Sequence, residues 1–243
     1  MTLGFKDKFK AASLHLLISC VLAFFCFIVV FFVLYPSSLA QATGVSALFL
    51  IMLGVDVVLG PMLTFIVYKK YKKTLKMDLL VIAIIQLSAL LYGGYAMHQG
   101  RPVWIAYTAD RFELVRANEI VEESQDYPVS LFIPQYIFVD TQPKTAKEQI
   151  SMMLEEVQSN ISPAQQPKYY RPFSQAKFDI QTKSKELEDL NHYNTAIAVE
   201  QVLKKYPEAT AWLPLKASAM DMVVLVNKQQ GKVIKIVNLR PWQ

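Results

Sequence analysis

The chain has 243 residues, of which 53% are hydrophobic, and it carries 25 basic and 20 acidic side chains. Residues 1–98 hold eight of the basic and three of the acidic residues and so the whole net charge of +5, whereas residues 99–243 hold 17 of each sign. This uneven composition excludes a single soluble globule, and the balanced second part gives no basic surface for nucleic acid, so we expect no nucleic-acid partner.

Three long apolar runs occupy the first part of the chain. We predict transmembrane helices over residues 14–35, 45–68 and 79–97, because each is close to the roughly 20 residues that cross a hydrocarbon core and a backbone in lipid must satisfy its own hydrogen bonds. A secretory signal peptide is the alternative for the first run, with a cleavage site at residues 40–42. That run is longer than the usual signal core of about 7–15 residues, which favours a membrane span.

The lysines near the ends of these runs predict the orientation of the chain. Three lysines precede the first run, none lies at residues 35–44, and five lie at residues 69–76. Positive residues stay in the cytoplasm, so the N-terminus and the second loop are predicted to be cytoplasmic. Residues 1–98 then form a membrane domain, and residues 99–243 form an extracytoplasmic domain, which in a bacterium with two membranes is periplasmic. The lysine loop also makes membrane lipid an expected partner.

Short β-prone runs begin after residue 101. We predict strands at residues 103–107, 112–115 and 129–139, the last interrupted by Pro134, and a hairpin of residues 222–226 and 232–237 with Gly231 in its turn. Helices are expected as well, and together these elements predict an α+β domain.

Three helices are predicted within this domain. The first begins near Pro143 and carries the apolar residues Ala146, Ile150, Met153, Leu154 and Val157. The second is capped by Asn194, ends at Pro207, and has a stripe of Val199, Val202, Leu203 and Tyr206. A third, at residues 174–190, has weaker apolar periodicity.

The sequence lacks the patterns that would indicate catalysis. His15, His98 and His192 are expected far apart, the first at a membrane mouth, and none is part of a zinc motif. There is no glycine-rich phosphate loop and no nucleophile motif of the G-x-S-x-G type. We therefore expect no metal, no cofactor and no enzymatic activity.

Asp56 is the most informative single residue, because it lies at the middle of the second predicted span. A carboxylate at that depth costs at least about 2.5–3.5 kcal/mol on insertion scales, so it is expected to bind a partner or to be paired. The structural alternative is a hydrogen bond to Gln86 or Ser88 of the third span. Gly60 and Pro61 follow one turn later and should kink the helix, which either opens a groove or only improves packing.

Six segments, spread nearly from end to end, together resemble the TfpX/TfpZ family of type IV pilin accessory proteins. They are DVVLGPMLT (56–64), KTLKMDL (73–79), QLSALLYG (86–93), GRPV (100–103), WLPL (212–215) and LRPW (239–242). The resemblance implies an inner-membrane protein that accompanies a major pilin and helps it to be held, assembled or retracted. Its implied partners are that cognate pilin, membrane lipid and other pilus-assembly proteins.

The layout of the chain suggests how such a protein would work. An unassembled type IV pilin is one apolar helix with a periplasmic head, and three spans with a polar midplane followed by a periplasmic domain match it. We take Asp56, Gly60, Pro61, Gln86 and Arg101 as the candidate partner-binding residues.

Two other functions are alternatives to the pilin accessory role. A membrane-embedded enzyme that modifies pilin or lipid would have to use Asp56, His98, Arg101 and Asp110, but Asp56 is too deep to join the others. A periplasmic ligand sensor would need a cytoplasmic output module, which the short cytoplasmic segments cannot form.

Overall fold

The computed structural model describes residues 2–122, 124–142, 145, 150, 154, 157–158 and 160–242. It divides into two compact units. The first, which we call the helical unit, comprises Met1–Leu34 and Val45–Gln99. The second, the sheet unit, comprises Gly100–Gln243 together with Tyr35–Gly44, the segment between the first two apolar runs.

The bounds of the regular elements are as follows. The α-helices are α1 (Thr2–Ile28), α2 (Leu39–Thr43), α3 (Val45–Leu53), α4 (Gly60–Val67), α5 (Leu75–Gln99), α6 (Lys177–Lys183) and α7 (Ala196–Leu203). The strands are β1 (Pro102–Thr108), β2 (Arg111–Arg116), β3 (Gln135–Val139), β4 (Tyr170–Arg171), β5 (Ala211–Lys216), β6 (Met222–Asn227) and β7 (Lys232–Val237). Two π-helical turns extend the apolar helices, Val29–Leu34 after α1 and Gly54–Leu59 between α3 and α4.

The helical unit contains three helical stretches long and apolar enough to cross a membrane. They are Phe5–Leu34, Val45–Val67 and Leu75–Gln99. The prediction of three apolar helices is confirmed, but the first begins much earlier than residue 14. A hydropathy pattern marks only the part without charge, whereas the helix itself continues through the lysines until a residue breaks it. Most of the apolar side chains face outwards, as expected of helices that have lipid for solvent.

The sheet unit is built on one mixed seven-stranded sheet with the strand order β4-β3-β1-β2-β5-β6-β7. Strand β1 pairs antiparallel with β2 through a tight turn and parallel with β3, where Trp104 lies opposite Gln135. Strand β5 is parallel to β2 over a short contact at Phe112 and Leu215. The hairpin of β6 and β7 completes the sheet, and Gly231 in its turn has a positive φ of 62°, as predicted.

Both faces of this sheet are covered by apolar packing. One face carries Tyr107, Phe112 and Leu213, which pack with residues of α2 and α6. The other face has two clusters, one around Trp104 and one around Trp212. Alternate residues of each strand therefore serve opposite cores, which is the period of two expected for strands.

Helix α2 contributes to the core of the sheet unit although it lies about 60 residues before the first strand. Its residues Leu39 and Ala42 are buried in the cluster of Tyr107 and Phe112. The carbonyl of Ala42 accepts hydrogen bonds from the amides of Ala219 and Met220. The segment that joins the first two apolar helices is therefore part of the sheet unit, which the sequence analysis did not predict.

The strand predictions were correct for β1, β2, β6 and β7, whereas β3 was misplaced and β4 and β5 were missed. The predicted strand 129–139 is a strand only from Gln135 to Val139, because Pro134 lacks the amide that a ladder needs. Strand β5 was missed because it contains Pro214. Pro214 precedes the two-residue contact between β5 and β2. On the β2 side of the strand, therefore, no ladder hydrogen bond requires the amide that proline lacks.

The predicted helices have mixed outcomes. Helix α7 is capped by Thr195, whose hydroxyl accepts from the amide of Ala198. Asn194 was predicted as the cap, which is wrong, since its side chain instead bonds both the amide and the carbonyl of Arg240. The helix predicted at residues 174–190 is broken into α6 and two 3-10 turns. The helix predicted from Pro143 to Val157 lies mostly outside the described residues.

Candidate functional site

A cavity of about 170 Å³ lies inside the helical unit and brings together its polar side chains. Two of the predicted site residues, Asp56 and Gln86, line it. The full lining comprises His15, Ile18, Ser19, Leu22, Asp56, Ala83, Gln86, Leu87 and Leu90. The three apolar stretches all contribute, so the cavity depends on the packing of the whole unit.

The π-helical turn around Asp56 is explained by Pro61. The amide of Gly60 bonds the carbonyl of Val55, five residues earlier, which is the π-helical pattern. In the same pattern the carbonyl of Asp56 would accept from residue 61, but proline has no amide hydrogen. Gln86 supplies the missing donor, because its Nε2 donates to the carbonyl of Asp56 at 3.1 Å.

Gly60 makes room for this contact. A Cβ at position 60 would lie 2.0 Å from Nε2 of Gln86 and 2.6 Å from its Cδ. Any other residue would therefore push the amide away from the carbonyl of Asp56. The structure thus brings together Asp56, Gly60, Pro61 and Gln86, four of the five residues that the sequence singled out.

Two acceptor oxygens in this cluster lack donors. Oδ1 of Asp56 and Oε1 of Gln86 are both buried, and neither has a hydrogen-bond partner among the described residues. Unsatisfied acceptors in a water-poor interior are costly. The arrangement is suited to a group that donates hydrogen bonds or carries a positive charge, or to a proton on the carboxylate.

His15 lines the same cavity, although the sequence had not associated it with Asp56 and Gln86. Its Nδ1 is 2.6 Å from Oγ1 of Thr64, in α4, and the early start of α1 places it well inside the first apolar stretch. Ser19, one helical turn further along α1, is buried beside it. The spacing of four between the only two polar residues of that run was the available signal, since such residues share a helix face.

Arg101 lies in the sheet unit and not with the other four candidates. Its side chain is 4% exposed and donates from Nη2 to the carbonyl of Ser130 at 3.0 Å. It lies near Tyr35, where burial raises the pKa of the phenol while the positive charges of Arg116 and Arg101 oppose that shift. Its predicted role in partner binding stays a prediction.

The sheet unit has a larger groove of about 860 Å³ beside the edge strand β4. Side chains of both charges line it, including Glu122, Asp126, Lys168 and Arg171. A partner in this groove would have to match both signs of charge, which is typical of a polar protein surface.

These features define a class of protein. Three apolar helices that enclose a polar cluster, followed by a mixed-sheet unit, make a membrane protein with a C-terminal soluble domain.

Comparison with known proteins gives the family. The profile described as "Fimbrial assembly protein FimB" matches residues 4–44, which include most of α1, all of α2 and His15 but not Asp56. A fimbrial assembly protein of serogroups C1 and C2 from Dichelobacter nodosus is 33% identical over 114 residues, which are 46% of this chain and 87% of that relative. The chain belongs to this family of fimbrial assembly proteins.

Other relatives are matched over a smaller share of their length. The fimbrial assembly protein of serogroup I from the same organism is 34% identical over 114 residues, and that of serogroup E1 has the same identity and length of match. The chain spans less than half the length of these two relatives, 44% in each case. No solved structure matches the chain.

Proposed function

We propose that this protein is an accessory protein of the TfpX/TfpZ type, which holds a type IV major pilin in the bacterial inner membrane before assembly or after retraction. The helical unit contacts the apolar helix of the pilin, and the sheet unit contacts its head. Membership of the fimbrial assembly family supports a role in fimbrial biogenesis. The polar cavity of the helical unit supports the proposal that the pilin helix is held through a polar contact.

The observation that carries this proposal is the pair of buried acceptors, Oδ1 of Asp56 and Oε1 of Gln86, beside a small cavity. A processed pilin presents a free amine at the end of its apolar helix, and an ammonium donates three hydrogen bonds. Lipid gives little hydrophobic drive for helix pairing, so a polar contact of this kind would have to supply affinity and register.

The proposed orientation places the sheet unit in the periplasm. Five lysines in the loop between the second and third helices favour a cytoplasmic position for that loop. Tyr35–Gly44 folds together with the residues after Gln99, so these two parts of the chain lie on one side of the membrane. Three crossings with a cytoplasmic N-terminus satisfy both observations.

We propose a holding role and no catalysis. The cavity of about 170 Å³ is smaller than small-molecule sites, which usually enclose about 300–1,000 Å³. It fits the end of one side chain or an amine better than a lipid or a nucleotide. A contact between helices needs no more space than this.

The test compares Asp56→Asn and Asp56→Leu in cells that make the cognate pilin, with a photoreactive residue at Val58, which is 60% exposed on the same helix turn. Both variants should accumulate in the membrane at the normal level. Crosslinking to pilin and surface piliation should fall, more with Leu than with Asn, because Asn keeps part of the hydrogen-bonding capacity.

Asp78→Asn is the matched control, since Asp78 is an acid of the same unit outside the cavity that pairs with Lys72. It should leave crosslinking unchanged. Normal crosslinking and piliation with Asp56→Leu at a normal protein level would refute a role of this carboxylate in holding the pilin. Tolerance of Asn together with loss of the protein with Leu would indicate a bundle-stabilising role instead.

A further inference from the structure

The covalent chain keeps the start of β1 close to the end of the last apolar helix. Strand β1 begins at Pro102, three residues after α5 ends at Gln99, so the start of β1 is within about 10 Å of the end of that apolar helix. Strand β3 is parallel to β1, with Gln135 opposite Trp104. The residues just before β3 therefore lie at the same end of the sheet as the point where the chain leaves the membrane.

Two contacts within the sheet unit support this placement. Arg101 donates to the carbonyl of Ser130, which ties the segment before β3 to the residue that precedes β1. Tyr35, which directly follows the first apolar stretch, is buried close to Arg101 and Arg116. Both points where the chain enters the sheet unit from an apolar helix end are thus at this end of the sheet.

The segment before β3 exposes three consecutive large apolar side chains. Leu131, Phe132 and Ile133 are 60%, 55% and 66% exposed. They form an irregular tip between Ser130 and Pro134 that has neither helix nor strand structure. A fluid lipid phase accommodates this arrangement, whereas a protein groove usually receives one face of a helix or strand.

We propose that the tip of Leu131, Phe132 and Ile133 inserts into the lipid headgroup region of the membrane that the apolar helices cross. Interfacial apolar segments reach about 5–10 Å into the boundary between headgroups and acyl chains, and large apolar side chains such as these are typical of such segments. Arg101 holds the base of the tip by its hydrogen bond to Ser130. This proposal does not depend on which client the protein holds.

The far end of the sheet provides a matched control. Phe178 is 71% exposed on α6. Lys183 of the same helix donates to the carbonyl of Ala109 in the β1–β2 turn, at the end of the sheet opposite the start of β1. The two positions therefore carry the same exposed residue type at opposite ends of one sheet.

The experiment uses the full chain with Cys20 and Cys26 replaced by alanine and a bimane label at Phe132→Cys or, as the control, at Phe178→Cys. The proteins are reconstituted into vesicles of phosphatidylethanolamine and phosphatidylglycerol, with and without brominated acyl chains. The label at position 132 should emit further to the blue than the label at position 178, because its surroundings are apolar. Brominated acyl chains should quench the label at 132 and leave the label at 178 unchanged. A label at Ile133→Cys should behave like the one at 132.

Two outcomes would overturn the proposal. A label at position 132 that is as little quenched as the one at position 178 would show that the tip remains in water. Quenching or a blue shift at 132 that occurs only after purified pilin is added would assign the tip to a protein partner. Both substitutions replace exposed side chains, and unchanged circular dichroism would verify that the labelled proteins are folded.

Discussion

The helical unit and the sheet unit use their polar and apolar residues in opposite ways. In the sheet unit apolar residues such as Trp212 and Phe112 fill the interior on both faces of the sheet. In the helical unit the apolar side chains mostly face outwards, and Asp56 and Gln86 meet inside. The sheet unit is therefore stabilised by removal of apolar area from water, whereas the helical unit depends on packing and a few polar contacts.

The largest expected effect tests whether α2 belongs to the water-facing core. Leu39→Ala removes a buried side chain from that core, so the free energy of unfolding of the sheet unit should fall by about 2–5 kcal/mol. Urea unfolding of the full chain in mild detergent can be followed by tryptophan fluorescence, because all three tryptophans lie in the sheet unit.

Met220→Ala is the control, since Met220 is 42% exposed in the same unit, and it should cost less than about 0.5 kcal/mol. A fragment of residues 100–243 should likewise unfold at lower urea than the same unit in the whole chain. Equal effects of Leu39→Ala and Met220→Ala would show that α2 only lies against the sheet unit without stabilising it.

A smaller effect is expected from a glycine of the helical unit. Gly60→Ala should displace Gln86 and leave the carbonyl of Asp56 without its donor, which should cost about 1–2 kcal/mol. Gly54→Ala is a matched control at the start of the π-helical turn that precedes Gly60, because nothing lies within 4 Å of a Cβ there.

Thermal unfolding in detergent can be followed with a thiol-reactive dye, since Cys20 and Cys26 are both free and lie in α1. Gly60→Ala should lower the midpoint temperature, whereas Gly54→Ala should not. If both glycines tolerate alanine equally, the contact between Gln86 and Asp56 does not stabilise the unit.

The smallest effect at neutral pH is expected at Tyr136, in β3. Burial raises the pKa of its phenol from 10.0 to about 12, so the folded state holds this proton more tightly than the unfolded state. Its contribution to stability is therefore fully present below pH 10 and is lost as the pH rises from about 10 to about 12.

Tyr136→Phe should change stability little at pH 7 and should make the fall in unfolding free energy between pH 10 and 12 less steep. Urea midpoints at a series of pH values measure this slope. A variant whose slope equals that of the unchanged protein would show that Tyr136 ionises without unfolding.

Much of the helical unit could be predicted from the sequence, because a long run without charge has few alternatives to a membrane helix. The cluster of Asp56, Gly60, Pro61 and Gln86 was also predictable as a set of unusual residues in such runs. The hydrogen bond that joins them was not, since the rotation of one helix against another depends on packing that a single sequence does not encode locally. The part taken by His15 was missed for the same reason.

The sheet unit was less predictable, because its pairings connect distant parts of the chain. The tight hairpins β1–β2 and β6–β7 were found from local patterns. The contribution of α2 to the core was not, since Leu39 and Ala42 stand in a short segment that looks like a simple connection between two spans. Strand β5 shows a related difficulty, because Pro214 disfavours a strand unless pairing with one neighbouring strand begins only after it.

The position of α2 in the core also sets an order of events during synthesis. The hydroxyl of Ser38 donates to the carbonyl of Ile236, two residues that are 198 positions apart. At about 5–20 residues per second, Leu39 and Ala42 are made some ten to forty seconds before β7. During that interval the first two helices can already be in the bilayer, while α2 has no strands of the sheet unit to pack against. A nascent chain that stops before β7 would keep this apolar segment uncovered, where membrane proteases can recognise it.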